Sequence, residues 1–498
     1  MNRVKEATPV KENIQNRFIE DELKENFLEY SMSVILDRAI PKLRDGLKPV
    51  QRRIMYVMKD VTHYMKSARI VGEVLGKYHS HGDSSVYSAM VRMIQPFRMY
   101  VPYVKGQGNF GSLDASDSAA AYRYTEVENE PLADVIFNKH NQLGLEYKRN
   151  YDGTLWEPIE LIPVAPTILI NGTIGIAVGM GTYIPTHNPI EVISLYRAFI
   201  EKKLTNKNIR KYLKAPDPVT PCYVIDNDGI DRAYRTGSGK YHCMSHYHIE
   251  DDTRGKKKIV FTSVLPNRSK DTDILNLVTK CRDQRSPLSQ MIADIRDESS
   301  KESIRIVITI KKDITVESAI EALINAKFCY DSFTISMRVI YKDRPMKLGI
   351  MDMISHFHKM NTETSVRHLT TLKENKERRL HILDGIELVI ENYDTVIDII
   401  RKSKGKEEAR IALQKKYKGL SDIQVNAILD TKLYTLINKG DSIKAERKVI
   451  KEEVKEINHN LKDIDGYILN LLEDLKKTLK PYAKRRCEII SKIPKTPV

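Results

Sequence analysis

An apolar repeat in roughly the last 150 residues constrains the fold more than any other feature of the chain. Apolar side chains recur at spacings of four and three after an initial seven, at Ile443, Ile450, Val454, Ile457, Leu461, Ile464, Ile468, Leu471 and Leu475. A similar stripe precedes it, at Leu380, Leu383, Ile390, Tyr393, Ile397 and Ile400. A spacing near 3.5 keeps side chains on one helix face, so two long helices are predicted. The compact segment between them, at about 405–440, favours an antiparallel coiled coil with a helical knob. Two ordinary bundle helices would give the same pattern.

Upstream of these helices the residue composition of the sequence changes twice. A polar arm runs into a helix that ends before Pro41, and short helices and loops dense in Arg, His, Gly and Ser follow to about residue 150. From about 155 to 345, β-branched runs such as TILINGTIGIAVGM, KKIVFTSVLP and SIRIVITI predict strands. Helical segments such as TDILNLVTKCRDQ and VESAIEALINAK alternate with them. Because 498 residues exceed one hydrophobic core, we predict a multidomain α+β protein.

The charge balance indicates a polyanionic partner. The net charge is +15, and contacts of Lys and Arg with phosphate supply most non-specific affinity for nucleic acid. A lysine-rich proteome would give the same excess. No stretch approaches the roughly 18 uncharged apolar residues of a membrane span, and the N-terminus lacks the apolar core of a signal peptide. The five scattered cysteines suit reduced thiols, so a cytoplasmic protein without membrane contact is expected.

Four motifs are concentrated between Asp37 and Glu126. They are DRAIPKLRDGLKPVQRR (37–53), KSARIVGEVLGKYHSHGDSSVY (66–87), GQGNFGS (106–112) and AAAYRYTE (119–126). Together they resemble the signature of type IIA DNA topoisomerase A subunits, the breakage–reunion cores of gyrase A and topoisomerase IV A. Later stretches extend the resemblance, in the family's order, over about residues 20–490; they include NYDGTLWEPIELIP, GIDRAYRTGSGK, IADIRDES and LSDIQVNAILDTKL.

The resemblance implies a nucleophilic tyrosine. The RYTE string assigns that role to Tyr124 and makes Arg123 its phosphate-stabilising neighbour. A tyrosine oxygen that replaces a DNA oxygen on phosphorus keeps the bond energy for rejoining. A phenol with an ordinary pKa of about 10 is a poor nucleophile unless cations assist it. Tyr122 is the alternative nucleophile, because it lies two residues away where the family commonly has another residue.

The resemblance also assigns residues around the scissile phosphate. His81 corresponds to the histidine proposed to help in proton transfer or oxyanion stabilisation, and Arg38 and Lys48 correspond to basic residues at the phosphate. The catalytic set implied in this way is Tyr124, Arg123, His81, Arg38 and Lys48. The expected DNA-binding set is Arg52, Arg53, His79, Ser84, Ser88 and Ile176.

Two of these assignments concern DNA shape and drugs. The GDSSVY segment predicts a helix start at which Asp83 or Ser84 could cap free N–H groups and face phosphate. The resemblance places this helix in the major groove and matches Ser84 to the serine that anchors the water–metal bridge of quinolones. Ser88 stands where the family usually has an acidic residue, which predicts weak quinolone sensitivity. Ile176 corresponds to an isoleucine that wedges between base pairs; without the family, an ordinary core position would be expected.

Three further signals do not predict a second site. His242, His246 and His248 share one face of a predicted strand with Cys243 on the other, which fits a solvated or DNA-facing strand better than zinc. The GSGK string at 237–240 lacks the first glycine of a P-loop. Three Asp-x-Asp pairs lack the EGDSA string of a Toprim module. We therefore expect neither a metal site nor an ATP site in this chain.

Partners follow from the resemblance. Strand passage in the family needs Mg²⁺ and ATP, so a B-type subunit with ATPase and Toprim modules is expected to hold both, in a heterotetramer of two A and two B chains. Two copies of Tyr124 in the A homodimer would cut opposite strands of double-stranded DNA and leave 5′-phosphotyrosyl ends. The sequence lacks the β-pinwheel and QRRGGRG box of gyrase A, so relaxation or decatenation is expected rather than negative supercoiling.

The family also divides the chain. An N-terminal arm (1–30) would precede a winged-helix breakage–reunion domain (31–154), an α+β tower domain (155–345) and a coiled-coil and exit-gate domain (346–498). The expected place is the nucleoid in the cytoplasm, or the host cytoplasm for a phage or viral enzyme. A DNA-clamping scaffold that no longer cleaves is the alternative function, and the intact catalytic set argues against it.

Overall fold

The computed structural model describes residues 18–114, 117–137, 139–252, 255–301, 303–430 and 440–493. Most of the predicted N-terminal arm and residues 431–439 of the predicted knob lie outside these ranges. The chain has a mixed α/β architecture with open sheets and a long helix.

The first 160 residues or so form a helical unit with a small sheet. Its elements are α1 (Ile19–Val34), a π-helical turn (Ile35–Ala39), α2 (Pro49–Met58), β1 (Met65–Lys66), α3 (Ser67–Lys77), α4 (Asp83–Ile94), β2 (Val104–Gln107), β3 (Glu126–Asn129), α5 (Pro131–Ile136), a 3₁₀ turn (Lys139–Gly144), β4 (Tyr147–Arg149) and β5 (Trp156–Pro158). Helix α2 begins with Pro49, and Gln51 accepts a hydrogen bond from the Lys48 backbone N–H, as is typical of a helix start.

The middle of the chain is richer in strands. Its elements are α6 (Thr167–Asn171), β6 (Thr173–Ala177), β7 (Met180–Ile184), α7 (Pro189–Ile200), α8 (Ile209–Tyr212), β8 (Tyr223–Ile225), α9 (Asp228–Thr236), β9 (Ser238–Met244), β10 (Tyr247–Asp251), β11 (Lys257–Phe261), α10 (Lys270–Arg282), α11 (Pro287–Met291), β12 (Ile292–Asp297), β13 (Ile306–Ile310), α12 (Val316–Asn325), β14 (Tyr330–Ser336), β15 (Arg338–Tyr341) and β16 (Arg344–Lys347).

The remainder is helical until its last strand. Its elements are α13 (Ile350–Glu391), α14 (Tyr393–Lys402), α15 (Lys406–Lys416), α16 (Asp422–Asp430), α17 (Gly440–Lys462), α18 (Ile464–Thr478), a 3₁₀ turn (Lys480–Tyr482) and β17 (Glu488–Ile490).

Strands β1, β3 and β2 form an antiparallel sheet in that order beside the packed helices α2, α3 and α4. A six-stranded sheet has the order β17-β8-β9-β14-β7-β6, and its last strand along the chain, β17, pairs in parallel with β8. A four-stranded antiparallel sheet, β10-β11-β13-β12, belongs to a second hydrophobic core with α10, α11 and α12. Ile184 of the β6–β7 hairpin belongs to the same hydrophobic core as α2 to α4, whereas Ala177 and Met180 pack in a smaller cluster with Ile35, Ala39 and Ile40.

The segment TILIN was predicted as a strand, and that prediction is wrong because it forms helix α6. Pro166 precedes the helix, and Gly172 follows it at φ +60°, a conformation that favours glycine. Residues 167–170 are all buried, so the run is apolar on every side. Apolar periodicity cannot distinguish a short buried helix from a buried strand.

The two long helices α13 and α17 run antiparallel. Ion pairs join Lys376 to Glu453 at 2.6 Å and Arg379 to Glu446 at 2.8 Å, so residue numbers rise along one helix as they fall along the other. Neither apolar stripe is one helix, however. The first is interrupted at Asn392, so Tyr393, Ile397 and Ile400 lie on α14 rather than α13. The C-terminal stripe is also divided. It breaks at Asp463, whose side chain accepts a hydrogen bond from the N–H of Gly466 and caps α18. The stripe residues before the break pack on α13, whereas those after it enter the main core.

Candidate active site

Tyr124 lies at the end of a tight turn on the surface of the helical unit. The turn is closed by a 2.9 Å hydrogen bond from the Tyr124 N–H to the Ala121 carbonyl. The Tyr124 side chain is 65% exposed, and the Arg123 guanidinium lies 4.6 Å from its ring centroid. A cation over an aromatic face is an attractive contact. The turn thus presents a phenol to solvent with a positive charge beside it.

The ends of this turn are anchored to the helices behind it. The Tyr87 hydroxyl of α4 donates to the Ala120 carbonyl at 2.6 Å and lies 3.0 Å from the Thr125 hydroxyl. Thr125 is buried and donates to the Ser67 hydroxyl at the start of α3, at 2.8 Å. These hydrogen bonds fix the backbone on both sides of the turn that carries the exposed Tyr124.

Tyr122 and Tyr124 lie in different surroundings although only one residue separates them. The Tyr122 side chain is half-buried, and its hydroxyl donates to the carboxylate of Asp83 at 3.0 Å. That hydrogen bond raises the pKa of Tyr122. The Tyr122 hydroxyl is thus engaged by a carboxylate of its own chain, whereas the Tyr124 side chain is exposed beside Arg123.

The two histidines of the HSH segment, His79 and His81, have adjacent rings but differ in exposure to solvent. His79 is 7% exposed, and its Nδ1 lies 2.8 Å from the Arg53 guanidinium. Burial and the nearby Arg53 charge lower the pKa of His79 to about 4, so the ring is neutral at pH 7. The His81 side chain is exposed, and its ring packs edge-on against His79 at 4.6 Å. Of the two, His81 is the one that a bound molecule can reach.

The paired arginines of α2 are held by protein carboxylates. Arg52 is 5% exposed, and its guanidinium donates to Asp45 at 2.5 and 3.0 Å and to the Leu47 carbonyl. Arg53 makes a bidentate pair with Glu157, at 2.7 and 3.0 Å. Direct DNA contact by Arg52 and Arg53 stays a prediction, whereas their observed contacts position α2 and His79.

Lys48 connects α2 to the β6–β7 hairpin. Its ammonium donates to the Ile174 carbonyl at 2.7 Å, and burial together with the Arg92 charge lowers the Lys48 pKa. Ile176, in the same strand, is 86% exposed. An isoleucine so exposed packs against no core of its own chain. The structure therefore places Ile176 on the surface, where a binding partner could reach it.

Arg38 lies on the π-helical turn against the same hairpin, with its side chain exposed. Gly175 makes this approach possible, because a Cβ at that position would overlap the Ala39 carbonyl oxygen. The close contact fixes the position of Arg38 relative to β6, and it brings Arg38 and Lys48 to one strand.

Sequence reasoning missed Arg92 and Arg98. The Arg92 charge contributes, after burial, to lowering the pKa of Lys48 and that of Arg98, so Arg92 acts on both of the other cations. In the described part of the chain, no ion pair neutralises any of the three. The signal was present in the sequence, because Arg92 lies four residues after Ser88 and eight after Ser84, on one helix face. Such a cluster is suited to phosphate.

Ser84 and Ser88 are exposed one turn apart on α4. Neither Ser84 nor Asp83 caps the helix as predicted, because Gly82 occupies the N-cap position and none of the described side chains bonds to the free N–H groups there. The carboxylate of Asp83 is turned instead towards Tyr122.

The predicted strand with three histidines on one face is divided between two sheets. His242 lies on β9 of the six-stranded sheet, His248 lies on β10 of the four-stranded sheet, and His246 lies between them. Within the described ranges, no group of three or more His, Cys, Asp or Glu side chains could hold a metal ion. Among the described residues, no helix is long and apolar enough to cross a membrane.

Comparison with known proteins identifies the family of the chain. The family model for the A subunits of DNA gyrase and topoisomerase IV matches residues 38–476. The gyrase A protein of Campylobacter fetus is 37% identical over 486 residues, which cover 95% of this chain and 55% of that protein. The gyrase A protein of Clostridium acetobutylicum is also 37% identical, with 94% of this chain and 57% of its own length covered. The chain thus spans a little over half the length of these relatives. It belongs to the family of DNA gyrase and topoisomerase IV A subunits.

Proposed function

We propose that this chain is the DNA-cleaving and rejoining subunit of an ATP-dependent type IIA topoisomerase. In this proposal it opens both strands of one duplex and lets a second duplex pass, which relaxes or decatenates DNA. The observation that carries the proposal is the exposed Tyr124 phenol, fixed on a turn beside Arg123 in a chain of this family.

The proposed reaction is a transesterification. The Tyr124 oxygen attacks a backbone phosphorus, an O–P bond to tyrosine forms, and the bond from phosphorus to the 3′ oxygen breaks. The phenolic proton leaves the nucleophile and a proton is gained by the departing 3′ oxygen, so no water or oxidant is consumed. The reverse attack by the 3′ hydroxyl rejoins the strand.

Cations assist the step in this proposal by stabilising charge on the phosphorane-like transition state. Arg123 lies beside the nucleophile, while Arg38 and Lys48 lie together at β6 and would meet the same DNA backbone. His81 is assigned the proton transfer or oxyanion contact because its ring is exposed. His79 is assigned a supporting role, since its ring is buried, neutral at pH 7 and bonded to Arg53.

In this proposal the DNA duplex lies on the surface between α4 and the β6–β7 hairpin. Ser84, Ser88 and Arg92 lie along α4, and the exposed Ile176 would wedge between base pairs and kink the duplex. Helices α2 to α4 with the three-stranded sheet support a winged-helix domain. The antiparallel α13 and α17 support a coiled coil, and the region at 155–345 supports a tower domain.

The remaining parts of the proposal concern partners. Two copies of the chain would place two Tyr124 residues on opposite strands, and a B-type subunit would bring ATP hydrolysis and Mg²⁺.

The test is cleavage of supercoiled plasmid by the chain with its cognate B subunit, Mg²⁺ and ATP, trapped with detergent and digested with protease. Protein-linked linear DNA is expected from wild type and from Tyr122→Phe, and none from Tyr124→Phe. Loss with Tyr122→Phe alone would identify Tyr122 as the nucleophile. Absence of cleavage by wild type would favour a DNA-clamping scaffold instead.

A further inference from the structure

We propose that Tyr122 is a positioning residue that connects the turn carrying Tyr124 to the first turn of α4, so that the helix determines where the nucleophile lies on DNA. The inference rests on the proposed cleavage activity and deepens it. It concerns Tyr122, which the sequence offered as the alternative nucleophile at a position where the family commonly has another residue.

The contact consists of a hydrogen bond and a ring contact to the same helix. The Tyr122 hydroxyl donates to Asp83, the first residue of α4, at 3.0 Å. Its ring meets the Tyr87 ring edge-on, with centroids 5.6 Å apart and planes at 75°. Ala121 and Arg123 on either side are exposed, whereas Tyr122 is half-buried. The middle of an exposed turn is thus attached to α4 by one inward-facing side chain.

The two kinds of anchor have different consequences. Tyr87 and Ser67 hold Ala120 and Thr125, which are the ends of the segment. Tyr122 holds its middle, and Tyr124 follows two residues later in a turn closed by its own N–H. In a turn this tight, a displacement of the second residue is passed to the fourth. The Tyr124 phenol itself contacts Arg123 of the same turn, so its position depends on how the turn is held.

The hydrogen bond from Tyr122 also fixes the orientation of the negatively charged Asp83 carboxylate. Asp83 lies at the N-terminus of α4, where free N–H groups and the helix dipole attract an anion such as a DNA phosphate. By donating to this carboxylate, Tyr122 keeps it turned towards the turn. DNA that contacts the exposed face of α4 at Ser84 and Ser88 would therefore meet a helix end whose geometry is already coupled to Tyr124.

A positioning role predicts an effect on cleavage rate rather than on DNA affinity. Small misplacements of a reacting group reduce rate steeply, because reaction requires a near-attack geometry. Tyr122→Phe keeps the ring contact with Tyr87 and removes only the hydroxyl. Loss of one hydrogen bond to a charged group should slow single-turnover strand cleavage about tenfold, while the Kd for DNA stays within about twofold.

The experiment is a double-mutant cycle measured on the complete complex, with the cognate B-type subunit, Mg²⁺ and a linear duplex. The variants are Tyr122→Phe, Asp83→Ala and the two combined, and cleavage and religation rates are measured for each. If the pair acts as a unit, Tyr122→Phe slows cleavage in the wild-type background and adds nothing once Asp83 is alanine. Tyr151→Phe is the matched control, because it removes an exposed tyrosine hydrogen bond, to the Gly76 carbonyl at 3.0 Å, and should change neither rate.

The outcomes separate this inference from the proposed function. A wild-type complex that forms no covalent adduct would overturn the proposed function and this inference with it. A wild type that cleaves normally beside an equally fast Tyr122→Phe variant would overturn the positioning role alone. Multiplicative effects of the two substitutions would do the same, since they would show independent action. Complete loss of the adduct in Tyr122→Phe would make Tyr122 the nucleophile, which also contradicts the inference.

Discussion

The Nδ1 atom of His79 lies 2.8 Å from the Arg53 guanidinium, and the same guanidinium forms a bidentate pair with Glu157. Glu157 lies on β5 and Arg53 on α2, so the contact joins two elements far apart in sequence. His79 accepts a hydrogen bond here and must be neutral to do so. Its pKa is held at about 4 by burial and by the Arg53 charge.

This relationship predicts a pH dependence of stability. The pKa of His79 is lower in the folded state than in the unfolded state, so the unfolded chain binds more protons between about pH 6.5 and pH 4. The contribution of His79 is therefore fully present above about pH 6.5 and is lost as pH falls towards 4. We expect wild type to lose on the order of 2 kcal/mol from this source over that range. Urea unfolding of wild type and His79→Gln from pH 7.5 to pH 4 measures it. Parallel stability profiles for the two proteins would contradict the assignment.

A second prediction concerns the link between the loop before Tyr124 and the second core. Lys270 is 3% exposed; its ammonium lies 2.6 Å from Asp297 and 3.7 Å from Asp114 of the loop. The ammonium is buried, whereas the side chains of Asp297 and Asp114 are about one third exposed. Lys270→Met should therefore cost about 1 kcal/mol of unfolding free energy, between the values for a surface pair and a buried pair. Lys301→Met is the control. Lys301 is exposed and lies 3.7 Å from Asp117, so its loss should cost less than about 0.5 kcal/mol. Equal losses in the two variants would contradict the prediction.

Some features of the fold and of the site could be predicted from the sequence, and others could not. A spacing of three and four predicted α13 and α17 because helix periodicity is local. Motif order indicated the family, because several long motifs in sequence are specific, and the comparisons confirm it. The burial of Arg52 and Lys270 could not be predicted. Each depends on a carboxylate brought near by the fold, Asp45 for Arg52 and Asp297 for Lys270, and charged residues are expected on the surface unless paired.

The break at Asp463 was missed for a different reason. The apolar stripe continues through it without a change of spacing, so the periodicity is the same on both sides. The interruption comes from a single aspartate whose side chain caps the next helix. Stripe spacing reports which face is apolar, and it does not report which neighbour that face packs against. Only the tertiary structure shows that one half of the stripe packs on α13 and the other half enters the main core.

The cation cluster of Lys48, Arg92 and Arg98 predicts how DNA binding depends on salt. If Arg92 contacts a phosphate, Arg92→Gln should weaken binding about equally for all sequences. It should also reduce the slope of log K against log salt concentration by about one. Fluorescence anisotropy with two unrelated duplexes between low and moderate salt measures both quantities. Arg92→Lys keeps the charge and should restore the slope. An unchanged slope in Arg92→Gln would exclude a phosphate contact.

The exposed serines of α4 predict a drug phenotype. The quinolone bridge implied by the family needs Ser84 and an acidic oxygen one turn further along the helix, and this chain has Ser88 there. Both side chains face solvent, so Ser88→Asp can be made without disturbing the core. We expect the variant to form drug-stabilised cleavage complexes at concentrations about tenfold lower than wild type, because a bidentate set of oxygens holds the hydrated metal. Ser88→Asn, which lacks the charge, is the matched control, and equal drug responses in all three proteins would contradict the prediction.

Ile176 gives a prediction that separates stability from function. A buried isoleucine replaced by alanine costs about 2 to 5 kcal/mol, but this side chain is 86% exposed and has little to lose on truncation. Ile176→Ala should therefore leave the unfolding free energy within about 0.5 kcal/mol of wild type. If the side chain wedges into DNA, the same variant should bend a duplex less, because the kink depends on an apolar group between base pairs. Energy transfer between dyes at the two ends of a short duplex reports the bend. Ile174→Ala, on the same strand with a half-exposed side chain, is the control for a general loss of apolar surface. Unchanged bending in Ile176→Ala would remove the wedge from the mechanism while leaving the roles of Tyr124 and Lys48 intact.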